Sequence, residues 1–253
     1  MIEAINLIKY FDKKLVLDNI SFSVRKGEIC GYIGPNGAGK TTTIKILTGI
    51  IKPTSGTAYI DGINVKENPD DVKKIIGYVP ESGAIFETLT PVEFLTFVGK
   101  IYRMSESEIT RNIFELMELF EIYEFKNEPM LSFSKGMKQK IFLISALMHN
   151  PKVLFLDEPL NGLDANAIKI FKEFIKKLAQ NGRTVFYSSH LLDVIEKICD
   201  KLIIINRGKI VASGTIEEIL KISNAQNLSD AFSKLTESVE QVEKIQNFIN
   251  RTK

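Results

Sequence analysis

Residues 34–41 read Gly-Pro-Asn-Gly-Ala-Gly-Lys-Thr, the spacing G-x-x-x-x-G-K-[ST], and this run constrains the chain more than any other. Its glycines let the backbone curl until successive N–H groups point inward at an anion. The apolar run Ile29–Ile33 precedes the loop, and residues 42–47 read as a helix after it. A helix N-terminus adds its dipole to the same anion site. Strand, loop and helix in this order predict a cradle for the phosphates of a nucleotide. Gly34, Pro35, Asn36, Gly37, Ala38 and Gly39 form it; Lys40 reaches the outer phosphates, Thr41 offers its hydroxyl to Mg²⁺, and Thr42 opens the helix. The ligands expected there are ATP and Mg²⁺.

Bulk properties narrow the remaining choices. Hydrophobic residues make up 44% and charged residues 25% of the 253 positions, ordinary values for a globular chain. A net charge of +2 gives no electrostatic footprint for nucleic acid, so no nucleic-acid partner is expected. Cys30 and Cys199 have no neighbours at metal-ligand spacing, which argues against structural zinc and fits a reducing cytoplasm. The N-terminus carries Glu3 and no apolar run of signal-peptide type. The longest apolar run, residues 141–148, is broken by Ser145 and is far short of the roughly 20 residues that span a bilayer.

Periodicity orders the chain into three parts. Residues 15–17, 20–24, Ile29–Ile33, 56–60, 63–65 and 75–79 read as strands divided by turns such as Asp61-Gly62. From Pro91 the apolar spacing changes to three and four, predicting helices over 92–101, 106–120 and 135–148. Alternation then returns: strands at 153–156, 184–187, 202–205 and 210–213, with helices at Ala165–Gln180 and 191–199 between them. Such alternation implies a parallel sheet covered by helices, with an all-helical insert between two β-rich parts. Residues 223–253 are polar and helix-prone, with apolar positions at Leu228, Phe232 and Leu235, then Val239, Val242, Ile245 and Ile249. One or two amphipathic helices, packed on the body or on a second copy, are expected there.

Two adjacent carboxylates end the apolar strand 153–156. Neighbours on a strand face opposite ways, so Asp157 and Glu158 suit different tasks. Asp157 beside the phosphate loop is placed to hold Mg²⁺, and Glu158 to orient and polarise the water that attacks the γ-phosphate. Alone, the pair also fits surface acids at a strand end. His190 closes another short strand, at the sheet edge where ligands of such folds bind, and could contact the γ-phosphate. His149, in His149-Asn150-Pro151, reads as a surface turn residue.

With these residues assembled, residues 1–219 resemble the nucleotide-binding subunit of ABC transporters. Phe133-Ser134-Lys135-Gly136-Met137-Lys138-Gln139-Lys140 is similar to the family signature usually written LSGGQ, with Ser134 and Gly136 on its Ser and second Gly. Phe, Lys and Met are departures from that pattern. The resemblance implies that Ser134 and Gly136, at a helix start, complete the ATP site of a partner chain, so that a dimer closes over two ATP molecules. It implies that Phe11, rather than adjacent Tyr10, stacks on adenine, although either ring equally fits a core position. Glu158 corresponds to the catalytic glutamate, His190 to the switch histidine, and Asn161-Gly162-Leu163-Asp164 to the loop that crosses the dimer interface. Where the family usually carries a Gln that touches Mg²⁺ and relays to the membrane domain, this chain has Glu81, and a carboxylate still ligates Mg²⁺.

The resemblance implies an α/β fold: a P-loop NTPase core with a mostly parallel sheet flanked by helices, an N-terminal antiparallel β subdomain and an inserted α-helical subdomain. Residues 1–221 would form the ATP-binding domain, with the helical subdomain at about 83–145, and residues 222–253 a C-terminal helical extension. The implied function is an ATPase motor for a separate integral membrane subunit, working as a homodimer or as a heterodimer with a related ATPase subunit. Its place would be cytoplasmic, peripheral on the inner face of the cell membrane. The Ser-Lys-Gly-Met form of the signature, Glu81 and the tail around 227–236 look most like export-type (ABC-2) subunits. The competing readings are a soluble ABC-type ATPase acting on ribosomes or DNA, and a regulatory ATP-binding module without turnover. The short span from Lys40 to Ser134, without sustained heptads, and the single ATP site speak against the first. Glu158 and His190 speak against the second.

Overall fold

The computed structural model describes residues 1–81, 83 and 86–236. Two sheets divide the β structure. β1 (Ile2–Phe11), β2 (Lys14–Val24), β4 (Ser55–Ile60) and β5 (Ile63–Asn64) form an antiparallel sheet in the order β2-β1-β4-β5. β3 (Ile29–Ile33), β6 (Ile76–Val79), β7 (Val153–Asp157), β8 (Thr184–Ser188), β9 (Lys201–Asn206) and β10 (Lys209–Gly214) form the second, in the order β10-β9-β3-β8-β7-β6. Every pairing in it is parallel except β9 with β10. The expected mostly parallel core and antiparallel N-terminal sheet are both present.

The parallel strands read as continuous apolar runs because both faces of this sheet are covered; β3, β7 and β8 are buried at every position. Strand alternation sorts their side chains into two cores. Cys30, Tyr32, Val153, Phe155 and Phe186 pack with Ile2, Leu7 and Ile20 of the antiparallel sheet and with Ile44 and Leu47 of α1 (Lys40–Leu47). Ile29, Ile33, Leu154, Leu156 and Val185 pack instead with Leu95, Ile113 and Ile141 of the helical insert. That insert comprises α3 (Pro91–Ile101), α4 (Glu106–Leu119) and α5 (Lys135–Leu147); the short α2 (Pro69–Ile75) precedes β6.

Sequence sets the helix boundaries closely. Thr90 and Glu93 form a capping box at the start of α3, and Ser105 and Glu108 form another at α4, each satisfying two otherwise unpaired backbone donors. The hydrogen bonds to Ser105 and Thr90 hold both carboxyls below the usual range. α6 (Ala165–Gln180) matches its expected bounds and is capped by Asp164, whose carboxylate accepts from Ala167 N at 2.8 Å. After α7 (Leu192–Ile198) and β10, the chain forms α8 (Ile216–Ser223) and α9 (Leu228–Thr236). α9 buries Leu228 and Ala231 against the body, as the amphipathic reading expected for the start of the tail. The later tail positions Val239, Val242, Ile245 and Ile249 lie outside the described residues.

His149 departs from its reading as a surface turn residue. It does lie in a turn, but its ring stacks on Tyr102 with centroids 3.7 Å apart, and Nε2 donates to Ile76 O at 2.8 Å. Nδ1 is buried without a partner among the described residues. Burial holds the imidazole pKa below the ordinary 6.5. The folded chain thus binds fewer protons than the unfolded chain just below that value, so stability rises with pH there and levels off above it. Urea titrations at pH 5.5, 6.5 and 7.5 should show this slope in the wild-type chain and a smaller one in His149→Gln. Equal slopes would contradict it.

Candidate functional site

The phosphate loop leaves β3, the central strand of the parallel sheet, and enters α1 directly. Beside it lies a cavity of about 560 Å³. Its walls take Asn36, Gly37, Gly39, Lys40, Thr41 and Thr42 from the loop and helix, Glu81 from beyond β6, and Asp157 and Glu158 from the end of β7. The cavity thus brings together six of the loop residues and the three acids that the sequence singled out, from three distant stretches of the chain. Lys14, Leu15, Val16 and Arg207 complete the wall. Sequence reasoning missed these four, since no motif marks them and only sheet order brings β9 beside β3.

Lys40 is 8% exposed, and its ammonium donates to Gly34 O at 2.8 Å and to Pro35 O at 3.3 Å, carbonyls of its own loop. A buried cation is thereby kept hydrogen-bonded inside the cradle. Tyr32 OH and Thr43 Oγ1, 3.0 Å apart, tie β3 to α1 beneath it.

Asp157 is 1% exposed. Its Oδ1 accepts from Ser188 Oγ at 3.0 Å, while Oδ2 has no hydrogen-bond partner among the described residues. Burial raises this carboxyl above the usual range. An orphaned, buried carboxylate oxygen beside a phosphate loop fits a hard cation, and Mg²⁺ in such sites takes one or two carboxylates together with substrate phosphates. Among the described residues no cluster of three or more His, Cys, Asp or Glu could hold a metal ion.

Glu158 follows at φ 50°, a conformation that a residue with Cβ adopts at a cost. Its amide donates to Ser188 O at 3.0 Å, so the bend is pinned to β8. The turn aims Glu158 into the cavity alongside Asp157 rather than to the opposite face. His190 Nδ1 lies 2.8 Å from Glu158 Oε2, and the His190 amide donates to the same oxygen at 3.4 Å. His190 does not itself line the cavity and is well exposed.

Gly34, Pro35 and Ala38 of the loop are also absent from the lining, and Phe11, Ser134 and Gly136 stand apart from the cavity. Phe11 ends β1, is 47% exposed, and has Lys9 Nζ 4.9 Å from its ring centroid. Its pairing with Lys14 places it on the hairpin whose other arm lines the wall. Ser134 caps α5, accepting from Met137 N at 3.2 Å, and lies at the surface. Gly136 packs so closely on the chain that any Cβ would collide with Gly162 O. Gln139, 6% exposed, donates from Nε2 to Pro159 O at 3.0 Å, next to Glu158. The start of α5 is thus fastened to the segment after β7. Gln139→Leu leaves a buried carbonyl without its donor and should cost about 1–3 kcal/mol. Urea unfolding checks this, and a loss below a few tenths would refute the bond's importance.

The chain and its fold have counterparts among known proteins. The ABC transporter family matches residues 17–161. The ABC transporter ATP-binding protein NatA of Bacillus subtilis is 33% identical over 91% of this chain and 96% of its own length. A solved structure of an ATP-binding subunit of an ABC transporter superposes with a TM-score of 0.88 at 31% identity, covering 94% of this chain and all of that one. The dimeric cassette MJ0796 in a post-hydrolysis state, bound to ADP and Pi, gives a TM-score of 0.75 at 25% identity over 85% of this chain and 98% of that one. With a P-loop cavity walled by three carboxylates, and matching these proteins over most of its length, the chain belongs to the ABC transporter family as an ATP-binding, ATP-hydrolysing cassette.

Proposed function

We propose that the chain is the motor subunit of an export-type transporter, dimerising around two ATP molecules and driving a separate integral membrane subunit from the inner face of the membrane. The observation that carries the reading is the meeting of Lys40, Thr41, Asp157 and Glu158 in one cavity while Ser134 and Gly136 lie outside it. One chain holds the cradle, and in this reading the second anion-binding helix start serves the site of a partner copy. Among the described residues no helix is long and apolar enough to cross a membrane, and the reading assigns the spans to a separate subunit.

In this reading the loop amides and Lys40 bind the β- and γ-phosphates, and Phe11 stacks on adenine. Thr41, Asp157 and Glu81 would hold Mg²⁺, which neutralises charge building on the phosphates. Glu158 accepts a proton from the attacking water, and His190 orients that carboxylate through its Nδ1 contact. Residues 1–221 serve as the ATP-binding domain, with the insert at about 83–145 relaying closure to the membrane subunit, and 222–253 as an extension. The Ser-Lys-Gly-Met form of the signature, Glu81 and the tail around 227–236 support the export assignment.

Copurification from a detergent extract tests the reading. Recovery of a multi-span membrane protein is expected, together with Mg²⁺-dependent ATP hydrolysis. Recovery of ribosomal RNA in its place would sink it.

A further inference from the structure

Arg207 sits on the cavity wall in a turn whose local chemistry favours another residue. Asn206 and Lys209 pair across a two-residue hairpin, and Arg207 and Gly208 both have positive φ, 48° and 79°. Turns of this kind prefer Asn-Gly or Asp-Gly, because a short polar side chain tolerates the left-handed region. The hairpin between β4 and β5, remote from the cavity, obeys that preference: Asp61 and Gly62 adopt φ 52° and 81°. The β9–β10 turn carries Arg at a left-handed position, as the end of α3 also does at Arg103, but here the residue sits on the cavity wall.

The turn is also fixed in place. Gly208 N donates to Ala38 O at 3.0 Å, and Asp18 N donates to Gly208 O at 2.9 Å. No Cβ fits at Gly208 without striking Val16 O. The backbone is therefore clamped between the phosphate loop and β2, holding the Arg207 side chain at the cavity. It has no ion-pair partner among the described residues.

Sheet order says which part of the nucleotide lies there. The loop leaves β3; β8, β7 and β6 lie on one side of it, and β9 and β10 on the other. Asp157, Glu158 and Glu81 thus stand on the flank opposite Arg207. The carboxylate flank takes the reacting γ-phosphate end, which leaves Arg207 with the inner phosphates and ribose. We propose that Arg207 is a nucleotide-binding residue that contacts the part common to ATP and ADP, an inference that rests on the cavity being the ATP site.

Isothermal titration calorimetry of ATP and of ADP, on four chains, tests it. Arg207→Asn should weaken both nucleotides by the same factor, about 5- to 20-fold. Its nucleotide-free melting temperature should match or exceed that of the wild-type chain, because Asn suits the turn. Arg207→Lys should recover most of the affinity. Arg103→Asn removes an arginine with φ 56° from the end of α3, away from the cavity, and should bind like the wild-type chain. Wild-type affinity in Arg207→Asn would overturn the proposal, as would a loss confined to ATP or an equal loss in Arg103→Asn. If the wild-type chain itself bound no ATP, the assignment of the cavity would fall first.

Discussion

Glu158→Gln is expected to bind ATP and turn it over about 10²- to 10⁴-fold more slowly than the wild-type chain. The substitution keeps the side chain's size, and it keeps an atom able to meet His190 Nδ1, 2.8 Å away in the native site. It removes the carboxylate proposed to accept a proton from the attacking water, leaving Glu81 and Asp157 to the cation. Asp157 is a poor substitute, because Ser188 Oγ holds one of its oxygens and the other is buried and proposed to meet Mg²⁺. The bend at φ 50° survives, since it depends on the Glu158 amide bonded to Ser188 O and not on the carboxylate. With binding intact and hydrolysis slowed, the closed dimer should accumulate. Light scattering with ATP and Mg²⁺ should report twice the monomer mass for the variant. Turnover within twofold of wild type would remove Glu158 from its proposed role.

How far the residues alone revealed this site depends on what kind of order each part has. The phosphate loop and the Asp157–Glu158 pair were readable because their function needs a contiguous spacing beside an apolar strand. α6 was readable to the residue because a 3.6-residue apolar stripe runs its whole length, with Asp164 capping it. β1 was not delimited, because register shifts along Ile2–Phe11 blur the alternation that would mark it. α2, seven residues long, is too short for a periodic signal. Lys14 and Arg207 lie far apart in sequence and meet the loop only because β9 pairs with β3 and β2 packs over it. The exposed Phe11 ring belongs to the same class: its hairpin is legible, but the direction its side chain faces depends on packing. Likewise the bond from Gln139 to Pro159 O joins two motifs that sequence reading had treated separately.

Lys40→Ala should lose ATP affinity by roughly 10²-fold or more while sparing the fold. The ammonium donates to Gly34 O and Pro35 O, so the loop is arranged around a cation. Deleting it leaves two carbonyl dipoles facing an incoming polyanion with nothing to neutralise them. The penalty therefore has two sources, lost attraction and added repulsion, and both act in a cavity that is 8% exposed at this residue. The loss should also be graded by phosphate number. Lys40 serves the outer phosphates, so ATP should suffer more than ADP and ADP more than AMP. Arg207, on the opposite flank from the acids, predicts the contrary pattern, with ATP and ADP weakened alike. Titrating ATP, ADP and AMP into Lys40→Ala and Arg207→Asn thus fixes the direction in which the nucleotide lies across the loop. Equal losses for all three nucleotides in Lys40→Ala would mean that the lysine holds the loop together and does not meet the outer phosphates.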